Sequence, residues 1–194
     1  MRFHLGEIPE SPDFIPDEAW KVLQIPSIWG MQLIAFPIGI LFLGLMALLW
    51  ISLTPLLRPG TVKFPAPIGM LLACFVSVLI IHELVHASIL PMAGTSKSTV
   101  VGFLPSKMFL YTAHLGDLSR SRCLVMLLAP FIVISIIPLI IASIFHVAPG
   151  WLAYASILNA FLASGDLYMA GLTMFRIPPH ATIRGQGWKT YWRK

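Results

Sequence analysis

Long apolar runs separated by short polar connections make up most of this 194-residue chain. Four of the runs are long enough to cross a hydrocarbon core of ~30 Å, which takes about 20 residues in a helix. They are residues 28–57, 65–93, 123–146 and 151–175. The pattern therefore predicts four transmembrane helices, which together form a membrane domain over residues 28–175.

The longest connection, residues 94–122, has room for structure of its own. Residues 98–104 and 108–113 are short runs that favour strands, and a Pro-Ser-Lys sequence lies between them. This pattern predicts a short β-hairpin at the membrane face, with an irregular surface loop as the alternative. The predicted fold class is thus an all-α polytopic membrane protein with a β-hairpin in its long loop.

Composition agrees with a membrane protein. Hydrophobic residues make up 57% of the chain and charged residues only 11%, and the mean hydropathy is +0.84. Soluble globular proteins carry about 25% charged residues. These values exclude a disordered chain and an ordinary soluble domain, and they predict an integral membrane protein in contact with lipid.

Basic residues are distributed unequally between the two sides of the predicted membrane domain. Of the 13 Lys and Arg residues, 11 lie in the N-terminal segment 1–27, the loop 94–122 and the tail 176–194. The other two, Arg58 and Lys63, lie between the first two spans. Because positive loops stay inside, both termini and the long loop are predicted to be cytoplasmic.

Aromatic and basic residues alternate in the tail, where Trp188, Tyr191 and Trp192 stand among lysines and arginines. This mixture indicates an interfacial anchor on anionic lipid, and we expect no nucleic-acid binding. Residues 17–23 are predicted as a short helix at the interface, with a poorly ordered leader as the alternative.

Two of the eight acidic residues, Glu83 and Asp166, fall inside the predicted spans. An ionisable side chain at membrane depth costs roughly 2.5–3.5 kcal/mol on insertion scales. Such a residue is therefore a functional hypothesis by default, and both acids lie in an informative context.

Glu83 belongs to the run His82-Glu83-Leu84-Val85-His86, which has the pattern H-E-x-x-H. Two histidines four residues apart project from the same face of a helix, one turn apart. That spacing suits one zinc ion, and the glutamate between them can reach a water on the metal. The alternative is a hydrogen-bonded polar cluster without metal.

A catalytic zinc site takes three protein ligands, and Asp166 is the predicted third ligand beside His82 and His86. The three residues lie 15 to 21 positions from the ends of their spans on one membrane side. At 1.5 Å per residue their depths agree within about 9 Å. We also expect Gly165 to let the backbone pack closely. The alternative for Asp166 is a helix-pairing or capping acid.

Asn159 precedes Asp166 by seven residues and shares its helix face. Its amide could polarise a substrate carbonyl or stabilise an oxyanion, and an interhelical hydrogen bond is the alternative. His114 lies in the long loop on the same membrane side, where we expect a surface histidine.

An H-E-x-x-H motif in a membrane helix, followed two spans later by Gly165-Asp166, resembles the site-2 protease family of intramembrane zinc metalloproteases. The sequence is more similar still to the small bacterial putative zincin peptidases. The likeness covers residues 65–175 and implies one zinc ion held by His82, His86 and Asp166, with Glu83 as general base. It also implies a bacterial cytoplasmic membrane location.

The function implied by this resemblance is hydrolysis of peptide bonds in transmembrane or membrane-bound polypeptides. In that case, strand 98–104 of the predicted hairpin could offer an edge to which an extended substrate adds as a strand. The alternatives are a zinc hydrolase of lipids or other amides, and a non-enzymatic adaptor that binds membrane helices. The sequence predicts neither a particular substrate nor an oligomeric state.

Overall fold

The computed structural model of the chain describes residues 1–55, 67–107, 109–147 and 149–194. The predicted connection with Arg58 and Lys63 lies outside the described residues, as do the adjoining ends of the first two predicted spans and residue 108 of the predicted hairpin. The α-helices are α1 (Ile28–Leu53), α2 (Ile68–Ile89), α3 (Arg120–Pro130), α4 (Ile137–Phe145), α5 (Gly150–Leu162) and α6 (Ser164–Arg176).

Three of the described helices are long and apolar enough to cross a membrane. They are Trp29–Leu53, Ile68–Ile89 and Arg120–Phe145, with 25, 22 and 26 residues. Only 17%, 11% and 28% of their most apolar stretches is buried inside the protein. Apolar faces exposed to this extent are suited to lipid rather than to water. The predicted membrane character therefore agrees with the structure.

The third long helix contains a wider segment. After α3 ends at Pro130, Phe131–Ile136 is π-helical, and α4 continues from Ile137. The N–H of Ile137 bonds to the carbonyl of Ile132, five residues back. The segment lies between two prolines, Pro130 and Pro138, which lack the N–H that an α-helix needs.

The fourth apolar run, predicted as one span over 151–175, is built as two helices of 13 residues each. They are α5 and α6, and Ala163 lies between them. Each is shorter than the ~20 residues that cross a membrane alone. The four-span topology therefore stays a prediction.

The predicted hairpin is confirmed as an antiparallel pair. Strands β3 (Thr99–Leu104) and β4 (Phe109–His114) pair from Thr99–His114 to Leu104–Phe109. Strand β1 (Arg2–Leu5) pairs in parallel with β3, so the sheet order is β1-β3-β4. The prediction of residues 98–104 as a free edge is wrong, because β3 is the central strand.

A second sheet was absent from the all-α prediction. Its strands are β2 (Lys21–Leu23), β5 (Leu118–Ser119), β6 (Thr182–Gln186) and β7 (Lys189–Arg193), in the order β2-β7-β6-β5. Strands β6 and β7 form a hairpin, and its turn begins at Gly187, whose φ is +55°. A two-residue turn with a left-handed residue is typical of such hairpins. The described chain is mostly helical with two small sheets.

The two terminal segments therefore fold together. Residues 17–23, predicted as a helix, end instead in strand β2 (Lys21–Leu23), which pairs with β7. The ammonium of Lys21 lies 5.4 Å from the ring centre of Trp192, and the guanidinium of Arg193 lies 4.5 Å from that of Trp20. Basic and aromatic side chains of the tail thus contact other parts of the protein.

The chain divides into two compact units. One consists of Met1–Ile28, Glu83–Ala129 and Asp166–Lys194 and contains both sheets. Its main core includes Leu23, Cys123, Leu127, Ala170, Ile177, Ala181 and Ile183.

The other unit consists of Trp29–His82 and Pro130–Gly165 and is helical. Its apolar core includes Met46, Trp50, Leu139, Ala142, Ala153 and Ala160. The division passes along α2 between His82 and Glu83, so the two motif histidines stand on one continuous helix.

Candidate metal centre

The H-E-x-x-H motif lies in the C-terminal half of α2, where an apolar sequence turns polar at three positions. The spacing of four residues puts His82 and His86 on one face, and each is only 6% exposed. Buried imidazoles need partners for both ring nitrogens. Those partners determine which nitrogen can bind a metal.

His82 is oriented by Asn159 on α5. Its Nδ1 lies 2.9 Å from Asn159 Oδ1, while Asn159 Nδ2 donates at 2.9 Å to the Pro130 carbonyl and at 2.9 Å to Ser135 Oγ. A carbonyl only accepts, so Nδ2 is the amide nitrogen and Oδ1 must accept from His82. His82 therefore carries its proton on Nδ1, and Nε2 carries the lone pair that a metal needs.

Asn159 is fully buried, and the hydrogen bonds just described occupy both ends of its amide. The sequence left two roles open for Asn159, stabilisation of an oxyanion and an interhelical hydrogen bond. The bonds observed here are interhelical hydrogen bonds. Ser135 was not predicted as part of the site. Its only signal in the sequence is a hydroxyl side chain within an apolar run.

His86 is oriented by a backbone group. Its Nδ1 lies 2.8 Å from the carbonyl oxygen of Met126. In a regular helix that carbonyl would accept from the N–H of residue 130, but Pro130 has none. The proline thus leaves the Met126 carbonyl to accept from His86, whose Nε2 carries the lone pair.

Asp166 lies in the first turn of α6, where the helix dipole favours a carboxylate. Its Oδ2 is 3.3 Å from His86 Nε2. One ligand atom each from His82, His86 and Asp166 can be chosen so that all lie within 4.8 Å of one another. Two imidazole nitrogens and one carboxylate oxygen form a set that suits catalytic zinc, with a coordination position left for water. The residues present therefore fit this metal.

The expectation for Gly165, beside Asp166, is wrong. A Cβ built on Gly165 has nothing within 4 Å, so no close backbone approach requires the glycine. The prediction of Asp166 rests on its depth in the membrane and does not need this glycine.

Glu83 is half-buried next to His82 on α2. Its backbone carbonyl accepts a hydrogen bond of 3.0 Å from Thr112 Oγ1 on β4. Strand β4 is thereby fixed to the helix at the position of the motif glutamate. Thr112 belongs to no motif that would mark it in the sequence.

His114 lies outside the group of three metal-ligand candidates. It is half-buried rather than a fully exposed surface histidine, and its Nδ1 lies 3.4 Å from Thr99 Oγ1. Burial lowers the pKa of His114, and the charges of Arg122 and Arg184 lower it further against the opposing effect of Asp117. The imidazole is therefore neutral at neutral pH.

A model of the family described as "Putative zincin peptidase" matches residues 75–182, more than half of the chain. The matched region includes His82, Glu83, His86 and Asp166. Zincins are zinc-dependent peptidases built on H-E-x-x-H. Comparison with curated proteins and with solved structures finds no match. The chain belongs to the putative zincin peptidase family.

Proposed function

We propose that this protein is an intramembrane zinc metallopeptidase that hydrolyses peptide bonds of transmembrane or membrane-bound polypeptides. The observation that carries the proposal is the close grouping of His82, His86 and Asp166 on α2 and α6. Helix α2 is one of the three helices long and apolar enough to cross a membrane. A hydrolytic site on such a helix suits a substrate that is itself held in the membrane.

In the proposed reaction, His82 and His86 would hold the zinc ion through Nε2 and Asp166 would hold it through a carboxylate oxygen. When bound, zinc supplies a Lewis acid that activates water and polarises the scissile carbonyl. Glu83 accepts the proton of the attacking water and delivers it to the leaving amine nitrogen. Asn159 and the Met126 carbonyl act as positioning groups, because they hold the imidazoles in the required tautomer.

A helical substrate hides its scissile carbonyl in an intrahelical hydrogen bond, so it must be extended locally before hydrolysis. Strand β4 pairs only with β3 among the described residues. We propose that a substrate strand adds to its other edge, which β6 approaches at the His114 carbonyl. The Leu115 N–H donates to the Ser98 carbonyl, which makes them a hydrogen-bonded pair of the ladder. Counting back, the peptide groups of Leu110, Thr112 and His114 point away from β3.

For topology we propose that α5 and α6 cross the membrane together as the fourth span. The run from Gly150 to Arg176 is long enough in total, although each helix alone is short. With four spans, the basic tail and the long loop stand on the cytoplasmic side.

The first test separates metal binding from catalysis. Purified wild-type protein in detergent should carry one zinc ion per chain and cleave unfolded membrane peptides until a chelator is added. Asp166→Ala should lose zinc, because two ligands remain. Glu83→Gln should keep zinc and lose cleavage by about 10²–10⁴-fold, the usual contribution of a general base. Metal analysis and peptide mass spectrometry measure the two effects.

His180→Ala is the matched control, since His180 lies outside the metal-ligand candidates. Undiminished zinc in Asp166→Ala would refute the third-ligand assignment. Cleavage by Glu83→Gln at the wild-type rate would refute the general base. A wild-type protein that released fatty acids but no peptides would favour the alternative hydrolase.

The second test concerns Asn159. Asn159→Ala removes the acceptor for His82 Nδ1–H, so zinc affinity should fall by about 10–100-fold, as for other partners that orient metal ligands. Competition with a chromophoric chelator measures this affinity. Ser156→Ala is the control, because Ser156 is equally buried on α5 but bonds to Trp50 and Ser135. Equal zinc affinity in both variants would rule out the positioning role.

The third test concerns Pro130, where one substitution should raise stability and lower zinc affinity. Pro130→Ala restores a backbone N–H that competes with His86 for the Met126 carbonyl. The helix should gain stability, since alanine is the better helix former, while zinc affinity should fall by about tenfold. Thermal unfolding and chelator competition give the two values. Pro138→Ala is the control, and a similar loss of zinc affinity there would contradict the explanation.

The fourth test concerns the edge of β4. Leu110→Pro removes an N–H that points away from β3 and leaves the hairpin ladder intact. Peptide cleavage should fall at least about tenfold if substrate pairs there, because a main-chain hydrogen bond is lost. Zinc content should stay constant, and Leu110→Ala, which keeps the N–H, should cleave normally. Wild-type cleavage by Leu110→Pro would exclude strand addition at this edge.

A further inference from the structure

A partly open cavity of about 170 Å³ lies within the unit that contains the two sheets. Its walls come from β4, β6, β7, α3 and α6. The residues that line it include Thr112, His114, Met126, Met169, Gly185 and Thr190.

Three of the lining residues connect the cavity directly to the metal centre. Thr112 donates its hydroxyl hydrogen bond to the carbonyl of Glu83, and Met126 accepts from His86. Met169 stands one helical turn after Asp166 on α6. Residues that line the cavity therefore bond to Glu83, the proposed base, and to His86, a proposed ligand. Another lies one helical turn from Asp166, the proposed third ligand.

The cavity is built for an apolar group. None of the described residues that line it is Asp, Glu, Lys or Arg, and several are Met, Leu or Ile. His114 contributes a neutral imidazole, for the reasons given above. A dry apolar cavity of about 150 Å³ accommodates benzene, so this one has room for a leucine-sized side chain. The two methionines allow the walls to adapt to shape.

The same residues connect the cavity to the edge of β4 that is not paired with β3. Thr112 and His114 are two residues apart on β4, so their side chains lie on the same face of the sheet. A strand paired with β4 places the side chain opposite Thr112 on that same face. That side chain would thus be directed to the side of the sheet that carries the cavity.

We infer that this cavity is the specificity pocket of the enzyme and that it receives an apolar, leucine-sized side chain of the substrate next to the scissile bond. The inference rests on the proposed peptidase function. It goes beyond that function by assigning a substrate preference and the residues that impose it.

Gly185 on β6 is a lining residue at which a side chain can be added to reduce the pocket. Its φ is not in the left-handed region, and an added Cβ would meet only the His114 carbonyl oxygen, at an ordinary 3.6 Å. A side chain can therefore be added there without backbone strain, and a larger one fills the cavity. Thr190, its partner on β7, lines the same space.

The test compares kcat/KM for peptides that carry alanine, leucine or tryptophan at successive positions around the cleavage site. Wild type should prefer leucine at one position. Gly185→Leu should reverse the leucine-to-alanine preference at that position by at least about tenfold, the value of a few methylenes in an apolar pocket. Met169→Ala should enlarge the pocket and improve the tryptophan peptide. Gly171→Leu is the control, because a Cβ there has nothing within 4 Å.

Binding is read separately on the Glu83→Gln protein with a peptide that carries photo-leucine at the preferred position. Crosslinks to the lining segments of β4, α3, α6 or β6 support the pocket. Crosslinks confined to other segments overturn it. Labelling of the lining segments by a photoreactive acyl lipid that the peptide does not displace also overturns it. If wild type cleaves peptides but Gly185→Leu leaves the preference unchanged, only this inference fails. If wild type cleaves none, the proposed function fails.

Discussion

The candidate metal centre depends on two hydrogen bonds in which an imidazole Nδ1–H meets an oxygen that can only accept. Asn159 supplies one oxygen, and the backbone of Met126 supplies the other. Each bond fixes a tautomer and a ring rotation, so the lone pairs of both Nε2 atoms are set before any metal arrives. In an apolar helix these bonds also remove the cost of burying polar nitrogens. Stability of the empty site and geometry of the loaded site thus have the same origin.

Both oxygens depend on irregular features of the third long helix. Pro130 removes the N–H that would otherwise occupy the Met126 carbonyl, and its own carbonyl accepts from Asn159. The π-helical segment that follows contains Ser135, the second acceptor for the Asn159 amide. π-Helical segments occur frequently at functional sites, where they bring backbone groups and side chains out of the regular register. Here the irregular helix supports the ligands although it contributes none of them.

The sequence was sufficient for features that depend on local spacing or on a sharp change of polarity. Glu83 and its flanking histidines follow from a four-residue spacing, and Asp166 stands out as an acid in an apolar run. The hairpin β3–β4 was predictable from two strand-favouring runs on either side of a Pro-Ser-Lys sequence. Met126 could not be predicted, because a backbone carbonyl carries no mark in the sequence and its partner lies 40 residues away. The position of β3 as central strand depends on pairing with β1, a long-range contact of the same kind.

The fourth apolar run, residues 151–175, shows that the length of an apolar run alone does not predict a single helix. A single uninterrupted helix over 151–175 would put Asp166 in its interior, where each backbone N–H is already bonded. Starting α6 at Ser164 puts the carboxylate in a first turn instead, where the helix dipole stabilises an anion by about 0.3–1 kcal/mol. This offsets part of the cost of an acid at membrane depth. The interruption that shortens the apolar helix therefore helps to stabilise an ionised Asp166, and apolar character and an acidic side chain place opposite demands on the same segment.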